Sequence, residues 1–313
     1  MSKRLLLLPP FLALAATALF VSRTDAKSEA LEQIAPGVWF REGDLKNLGH
    51  CNNIVIEMKD YLIVVDANFP SGARATMADI RRISSKPVKY VFDTHHHGDH
   101  SYGNAVWTAA GATTLAYRGV AEEMKRYEPG RWKAAEKERM DVAGMDQPSV
   151  EPPQRTFPGR EFILDDGARQ VEFYFFGWAH TRGDGFVYLP KEQILCTGDA
   201  AANGPYNFTG DGNIGNWPSV LRSAEKLKVK TVLPGHGLPG GREVLTGQEQ
   251  FMVELRKAVE DGIDQGKKPE DLANLHLPGS VKNWVGDSFA EQVKDTYEEI
   301  HQGRPHGEIA GGK

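Results

Sequence analysis

One stretch constrains this chain more than any other. Thr94-His95-His96-His97-Gly98-Asp99-His100 follows the apolar, β-branched run Val88 to Phe92, with only Asp93 between. The run reads as a strand, and the stretch as the loop at its end. His95 and His97 are two residues apart, so an extended backbone sends both to one side and His96 to the other. Asp99 and His100 add two further donors. Imidazole nitrogen and carboxylate oxygen are the ligands zinc accepts when thiolate is absent. Thiolate is scarce here: the cysteines are Cys51 and Cys196 alone, which excludes a disulfide framework and a cysteine-rich zinc module.

A histidine-rich loop alone could be a solvated turn. Three further sites at predicted strand ends weaken that reading. His180 lies in Gly177 to Asp184 (GWAHTRGD), Asp199 in Cys196 to Asp199 (CTGD), and His236 in Pro234 to Gly237 (PGHG). Each candidate has glycine or another small residue beside it, which lets backbone loops converge. Seven nitrogen and oxygen donors are enough for two metals that share a bridging group.

The rest of the chain supplies a scaffold. Gly37 to Phe40, Asn53 to Met58 and Tyr61 to Val65 read as strands, the last two as a hairpin, and Ser71 to Ser84 as a helix. Thr113 to Ala116 is a short strand. Residues 118–143 read as a charged helical stretch with a solvated face, and 146–160, with four prolines, as an irregular loop. Strands are expected at 161–164, 171–176, 186–189, 193–196 and 230–233, with helices at 218–227, 244–264 and 287–302. Strand runs in both halves, each closed by helix, predict an α/β fold with two packed sheets covered by helices. Residues 27–243 are expected to form the main domain. Residues 244–313 form a helical C-terminal extension packed on it.

Residues 1–26 differ. Lys3-Arg4 precedes an almost wholly apolar run from Leu5 to Val21, and small residues follow, the pattern of a secretory signal peptide. Cleavage is expected after Ala26 or after Ala18. The chain is expected to be periplasmic or secreted, with no membrane span in its mature form. Cys51 and Cys196 each lie beside a strand-like run and read as separate buried thiols. A net charge of −5 and a pI near 6.1 argue against a nucleic-acid partner. A small-molecule substrate is expected instead.

In order, HHHGDH, AHTRGD, CTGD and PGHG resemble the metallo-β-lactamase superfamily, over about residues 36 to 240. The resemblance implies a four-layer αββα sandwich of two mixed β-sheets flanked by helices. It implies two Zn2+ per chain: His95, His97 and His180 on one, Asp99, His100 and His236 on the other, and Asp199 bridging. A bridging hydroxide would attack a carbonyl carbon of an ester, thioester, lactone or amide, β-lactams included. Asp99 would act as catalytic residue by orienting it. The set is similar to the hydrolytic glyoxalases and lactonases; many true β-lactamases lack the bridging aspartate. The alternative is a mononuclear iron oxidoreductase like the superfamily's persulfide dioxygenases, since the donors also suit iron.

Other residues read as supporting. Asp66 and Asp184 are expected to fix loops by hydrogen bonds. Thr94, Thr181 and Gly183 are expected to support the site. His50 reads as a satisfied structural histidine, and His276, His301 and His306 as surface residues. In Ala201 to Trp217, two readings stand for Tyr206, Phe208 and Trp217: a substrate wall, or a covered loop with Trp217 packing at a helix start. Asn207-Phe208-Thr209 is a weak glycosylation sequon.

Overall fold

The computed structural model describes residues 31–272 and 274–303. The expected signal peptide and His306 lie outside the described residues. Twelve strands are described in two sheets. The first runs in the order β1 (Glu32–Ala35), β2 (Val38–Arg41), β3 (Asn53–Glu57), β4 (Leu62–Val65), β5 (Val88–Asp93), β6 (Thr113–Tyr117) and β7 (Arg155–Phe157). The second comprises β8 (Glu161–Asp165), β9 (Gln170–Phe175), β10 (Gly185–Leu189), β11 (Ile194–Gly198) and β12 (Thr231–Pro234), in the spatial order β12-β11-β10-β9-β8.

Both sheets are mixed. β1 to β4 are antiparallel and β4 to β7 parallel, while β8 to β11 are antiparallel and β11 pairs β12 in parallel. Strand alternation explains the layering. Ile54, Ile56, Ile63 and Val65 point inward to meet Phe173, Val187, Leu189 and Cys196 of the second sheet. Val55, Leu62 and Val64 point outward, beneath helices Pro70–Ile83 and Asn104–Ala109. A sheet covered on both faces therefore reads as a continuous apolar run. The outer face of the second sheet is covered by helices Trp217–Ala224, Glu243–Asp264 and Phe289–Gln302. The layers are helix, sheet, sheet, helix.

Two strands escape the sequence reading, β1 and β7. Arg155–Phe157 lies within the stretch expected to be irregular, and is a three-residue strand fixed by pairing with β6. Residues 118–143 break into three helices, Arg118–Tyr127, Gly130–Glu138 and Met140–Ala143. Cys51 and Cys196 are both buried and unpaired. No helix among the described residues is long and apolar enough to cross a membrane.

Strand direction places the site. β9 and β11 both oppose β10, so β9, β11 and β12 run the same way and finish on one edge. Loop contacts join that edge to the end of β5 and the start of β3: Gly185 N–H donates to Thr94 O at 2.7 Å, and Asn52 N–H to Gly235 O at 2.8 Å. Ligands commonly sit outside the carboxyl ends of strands in such sheets.

Candidate metal centre

The histidine loop leaves β5 and enters one helical turn, Gly98–Ser101, with His97 at its N-cap. His95 Nε2 lies 3.1 Å from His97 Nδ1, and His180 Nε2 lies 3.0 Å from the same atom. The opposite ring nitrogens settle the tautomers. His180 Nδ1 lies 3.0 Å from Phe208 O, which only accepts, so Nδ1 carries the hydrogen. His97 Nε2 donates to Asp211 Oδ2 at 2.9 Å. His95 Nδ1 faces Thr94 Oγ1 at 3.1 Å, whose own hydrogen goes to Asp66 Oδ1. Three lone pairs therefore face one another.

A second set lies alongside. His236 Nε2 is 3.0 Å from Asp99 Oδ2, and His100 Nε2 is 3.4 Å from it. His100 Nδ1 donates to Asp66 Oδ2 at 2.9 Å, which leaves Nε2 as the free donor atom. Asp199 stands between the sets. Its Oδ2 is 3.3 Å from His236 Nε2, 3.8 Å from His180 Nε2 and 4.0 Å from His95 Nε2, and its Oδ1 is 3.4 Å from His100 Nε2. Two glycines permit this approach. A Cβ on Gly235 would meet Asp199 Oδ1 at 2.2 Å, and one on Gly198, with φ of +50°, would meet Thr94 Oγ1 at 2.4 Å.

The donors fit a metal. Lone pairs at about 3 Å repel unless a cation lies among them, and ligands about 2.0–2.1 Å from a tetrahedral zinc are spaced a little over 3 Å apart. His100 Nε2 and Asp199 Oδ1 are buried with no hydrogen-bond partner among the described residues. Burial, reinforced by neighbouring histidines, holds His95 well below its usual range and His180 down to about 3, so both rings are neutral and able to donate. Burial opposes the charge on Asp199 and Asp99, yet His236 and His100 hold both well below the usual carboxylate range. Burial also opposes charge on His236, but Asp199 and Asp99 hold it up to about 9. Asp66, Asp99 and Asp199 together give the second set a negative excess that a cation would offset.

A cleft of about 360 Å³ opens over these groups. His97, Asp99, Asp199 and His236 form its floor, while Leu45, Arg131, Tyr206 and Phe208 form its walls. Tyr206 and Phe208 are 39% and 51% exposed. Trp217 corrects the expectation of a wall residue. It is fully buried at the start of its helix, and its indole N–H donates to Ala200 O at 2.7 Å.

His96 turns away from the floor, stacks on Tyr127 and accepts from Arg131. His50 is buried against Ser71 Oγ at 2.7 Å, while His276 and His301 are exposed. Asp184 accepts from Thr181 N–H, Thr181 Oγ1–H and Ala179 N–H, fixing the His180 loop. Asn207 is buried and donates to Trp284 O, so the sequon is not presented.

Two residues escape sequence reasoning. Asp211 accepts from His97 and a two-pronged guanidinium contact from Arg131 at 2.7 and 2.9 Å. Asp211 lies in the glycine- and asparagine-rich stretch, where only the aromatics draw attention. Arg131 lies in a stretch whose charge pattern reads as solvated. Their separation of 80 residues leaves no spacing signal.

The model of the metallo-beta-lactamase superfamily matches residues 47–236. A metallo-beta-lactamase type 2 from Bacillus cereus is 25% identical over 240 residues, covering 72% of this chain and 83% of that protein. The 2,4-dinitroanisole O-demethylase subunit alpha of Nocardioides sp. (strain JS1661) is 25% identical over 194 residues, covering 60% of this chain and 53% of that one. Among solved structures, DIM-1 metallo-beta-lactamase superposes with a TM-score of 0.58 at 21% identity, covering 71% of this chain and 96% of its own. A double mutant of the sec-alkyl sulfatase PisA1 reaches 0.69 at 17% identity, covering 87% of this chain and 50% of its own. With more than half its length matched and the αββα fold shared, the chain belongs to the metallo-beta-lactamase superfamily.

Proposed function

We propose that the chain is an exported dinuclear zinc hydrolase that cleaves a carbonyl substrate: an ester, thioester, lactone or amide, β-lactams included. The observation that carries this reading is the position of Asp199, whose carboxylate lies within 4.0 Å of donor nitrogens from both histidine sets. His95, His97 and His180 would hold one ion, Asp99, His100 and His236 the other, with Asp199 shared. Zinc held there supplies Lewis acidity and acidifies water at neutral pH. The protein's part is orientation, exclusion of bulk water and proton handling. Asp99 is 21% exposed at the cleft floor, so its carboxylate can accept a hydrogen bond from the attacking water and aim its lone pair. Phe208 and Tyr206 offer apolar surface to the part of the substrate remote from the carbonyl.

Export rests on the basic and apolar pattern of residues 1–26. No feature of the site favours the mononuclear iron reading, because the second donor set is complete. The test is a hydrolysis panel on zinc-loaded protein with penicillin, cephalosporin, lactone, thioester and phosphoester substrates. Turnover of at least one carbonyl substrate supports the proposal; phosphoester cleavage alone, with every carbonyl substrate inert, contradicts it.

A further inference from the structure

The loop from Ala200 to Asn216 contains no helix or strand, yet it supplies two groups that orient the three-histidine set. Phe208 O takes the Nδ1 hydrogen of His180, and Asp211 Oδ2 takes the Nε2 hydrogen of His97. Part of the loop's anchoring is local to the site: Trp178 Nε1–H donates to Asp211 O, Asn213 N–H donates to Ala179 O, and Arg131 holds the Asp211 carboxylate. The rest comes from the C-terminal helix, Phe289–Gln302.

Gln292, Asp295 and Glu299 are spaced three and four residues apart, which puts them on one helix face. Gln292 Nε2 donates to Asn207 O, and Thr209 Oγ1 donates to Asp295 Oδ2 at 2.6 Å. Glu299 accepts Ile214 N–H at 2.7 Å and Gly215 N–H at 2.8 Å, one on each carboxylate oxygen. Arg256, from the long helix Glu243–Asp264, anchors the same carboxylate at 3.0 Å. The helix thus grips the loop on both sides of the orienting groups: Asn207 and Thr209 flank Phe208, and Ile214 and Gly215 follow Asp211. Glu299 is only 2% exposed. A buried carboxylate is costly unless paired, and this one has two peptide donors and a guanidinium. The residues that grip the loop, Arg256, Gln292, Asp295 and Glu299, lie beyond residues 47–236, the segment matched by the family model.

We propose that Glu299 is a positioning residue for the three-histidine metal set, acting through the loop that carries Phe208 and Asp211. The C-terminal helix is then a working part of the metal centre's support, besides covering the second sheet. The proposal rests on the metal-centre reading above. Groups that orient metal-bound histidines typically change metal affinity about 10–100-fold when altered.

The test is stepwise zinc affinity of the full chain by competition with a chromogenic chelator, read together with the visible spectrum of the cobalt-loaded protein. Glu299→Gln keeps the size but turns an amide NH2 against one of the donors Glu299 now satisfies. It should weaken one zinc step about 10-fold or more, leave the other within about twofold, and alter the cobalt spectrum. His180→Ala, which removes a three-histidine donor outright, should weaken the same step. Thr209→Val removes a single contact and should weaken that step several-fold, which keeps the test available if Glu299→Gln does not fold. Lowered thermal stability with both zinc steps and the cobalt spectrum unchanged, in Glu299→Gln or in a Thr209→Val tested in its place, would overturn the proposal. An unmutated chain that binds no zinc would overturn the metal reading itself, and the proposal with it.

Discussion

The Asp66 carboxylate reaches both donor sets, directly through His100 and indirectly through Thr94. Its Oδ2 accepts His100 Nδ1–H at 2.9 Å, while its Oδ1 accepts the Thr94 backbone and hydroxyl hydrogens, each at 2.8 Å. Asp66→Asn would point an amide N–H2 at one of these donors. Zinc affinity should fall about 10–100-fold, and the metal-free protein should lose about 1–3 kcal/mol of stability. Chelator competition and thermal unfolding check the two effects separately.

Asp99, partly exposed at the cleft floor, can accept a hydrogen bond from the attacking water as well as hold metal. Asp99→Asn should lower kcat by about 10²–10⁴-fold, the range for a lost proton-handling group. Zinc at the three-histidine set should remain. Steady-state kinetics beside metal analysis of the same preparation measures both.

Phe208 and Tyr206 are exposed wall residues; their rings lie against His97, His180 and His236 but supply no ligand atom to the metal sets. Phe208→Ala keeps the carbonyl that His180 uses. Each alanine variant should raise KM with little change in kcat, and should move stability by no more than about 0.5 kcal/mol. Michaelis kinetics on whichever substrate the panel reveals will separate these effects.

His50 lies outside the metal centre and provides a pH prediction. Burial, with Arg41 and Arg139 nearby, holds it down to about 4 from an ordinary 6.5. Above pH 6.5 the ring is neutral in both folded and unfolded chains and costs nothing. As pH falls from 6.5 towards 4 the unfolded chain takes up the proton first, so the folded state loses up to about 3 kcal/mol relative to a non-titrating side chain. The stability of the unmutated protein minus that of His50→Gln should therefore decrease over that window. Urea unfolding at pH 7 and pH 4.5 gives the difference directly.

Much of this centre was legible because its donors belong to local patterns. The period-two placement of His95 and His97, and donors at the ends of β9, β11 and β12, follow from strand chemistry alone. The two-sheet architecture was visible in apolar runs such as Asn53–Glu57 and Leu62–Val65, buried on both faces. What stayed hidden depends on tertiary encounter. Asp211 meets His97 across 114 residues, and neither neighbourhood signals the other. Trp217 had two readings because an aromatic beside a loop looks the same whether it faces a cleft or a core. β7 exists only because β6 is there to pair with it.

The central claim is hydrolysis by two metals that share Asp199. It is tested most directly by titrating metal-free protein with zinc while measuring hydrolysis of a carbonyl substrate. The account predicts activity that rises until two equivalents per chain are bound and is largely lost in Asp199→Ala. Full hydrolytic activity at one equivalent, or undiminished activity in Asp199→Ala, would contradict it.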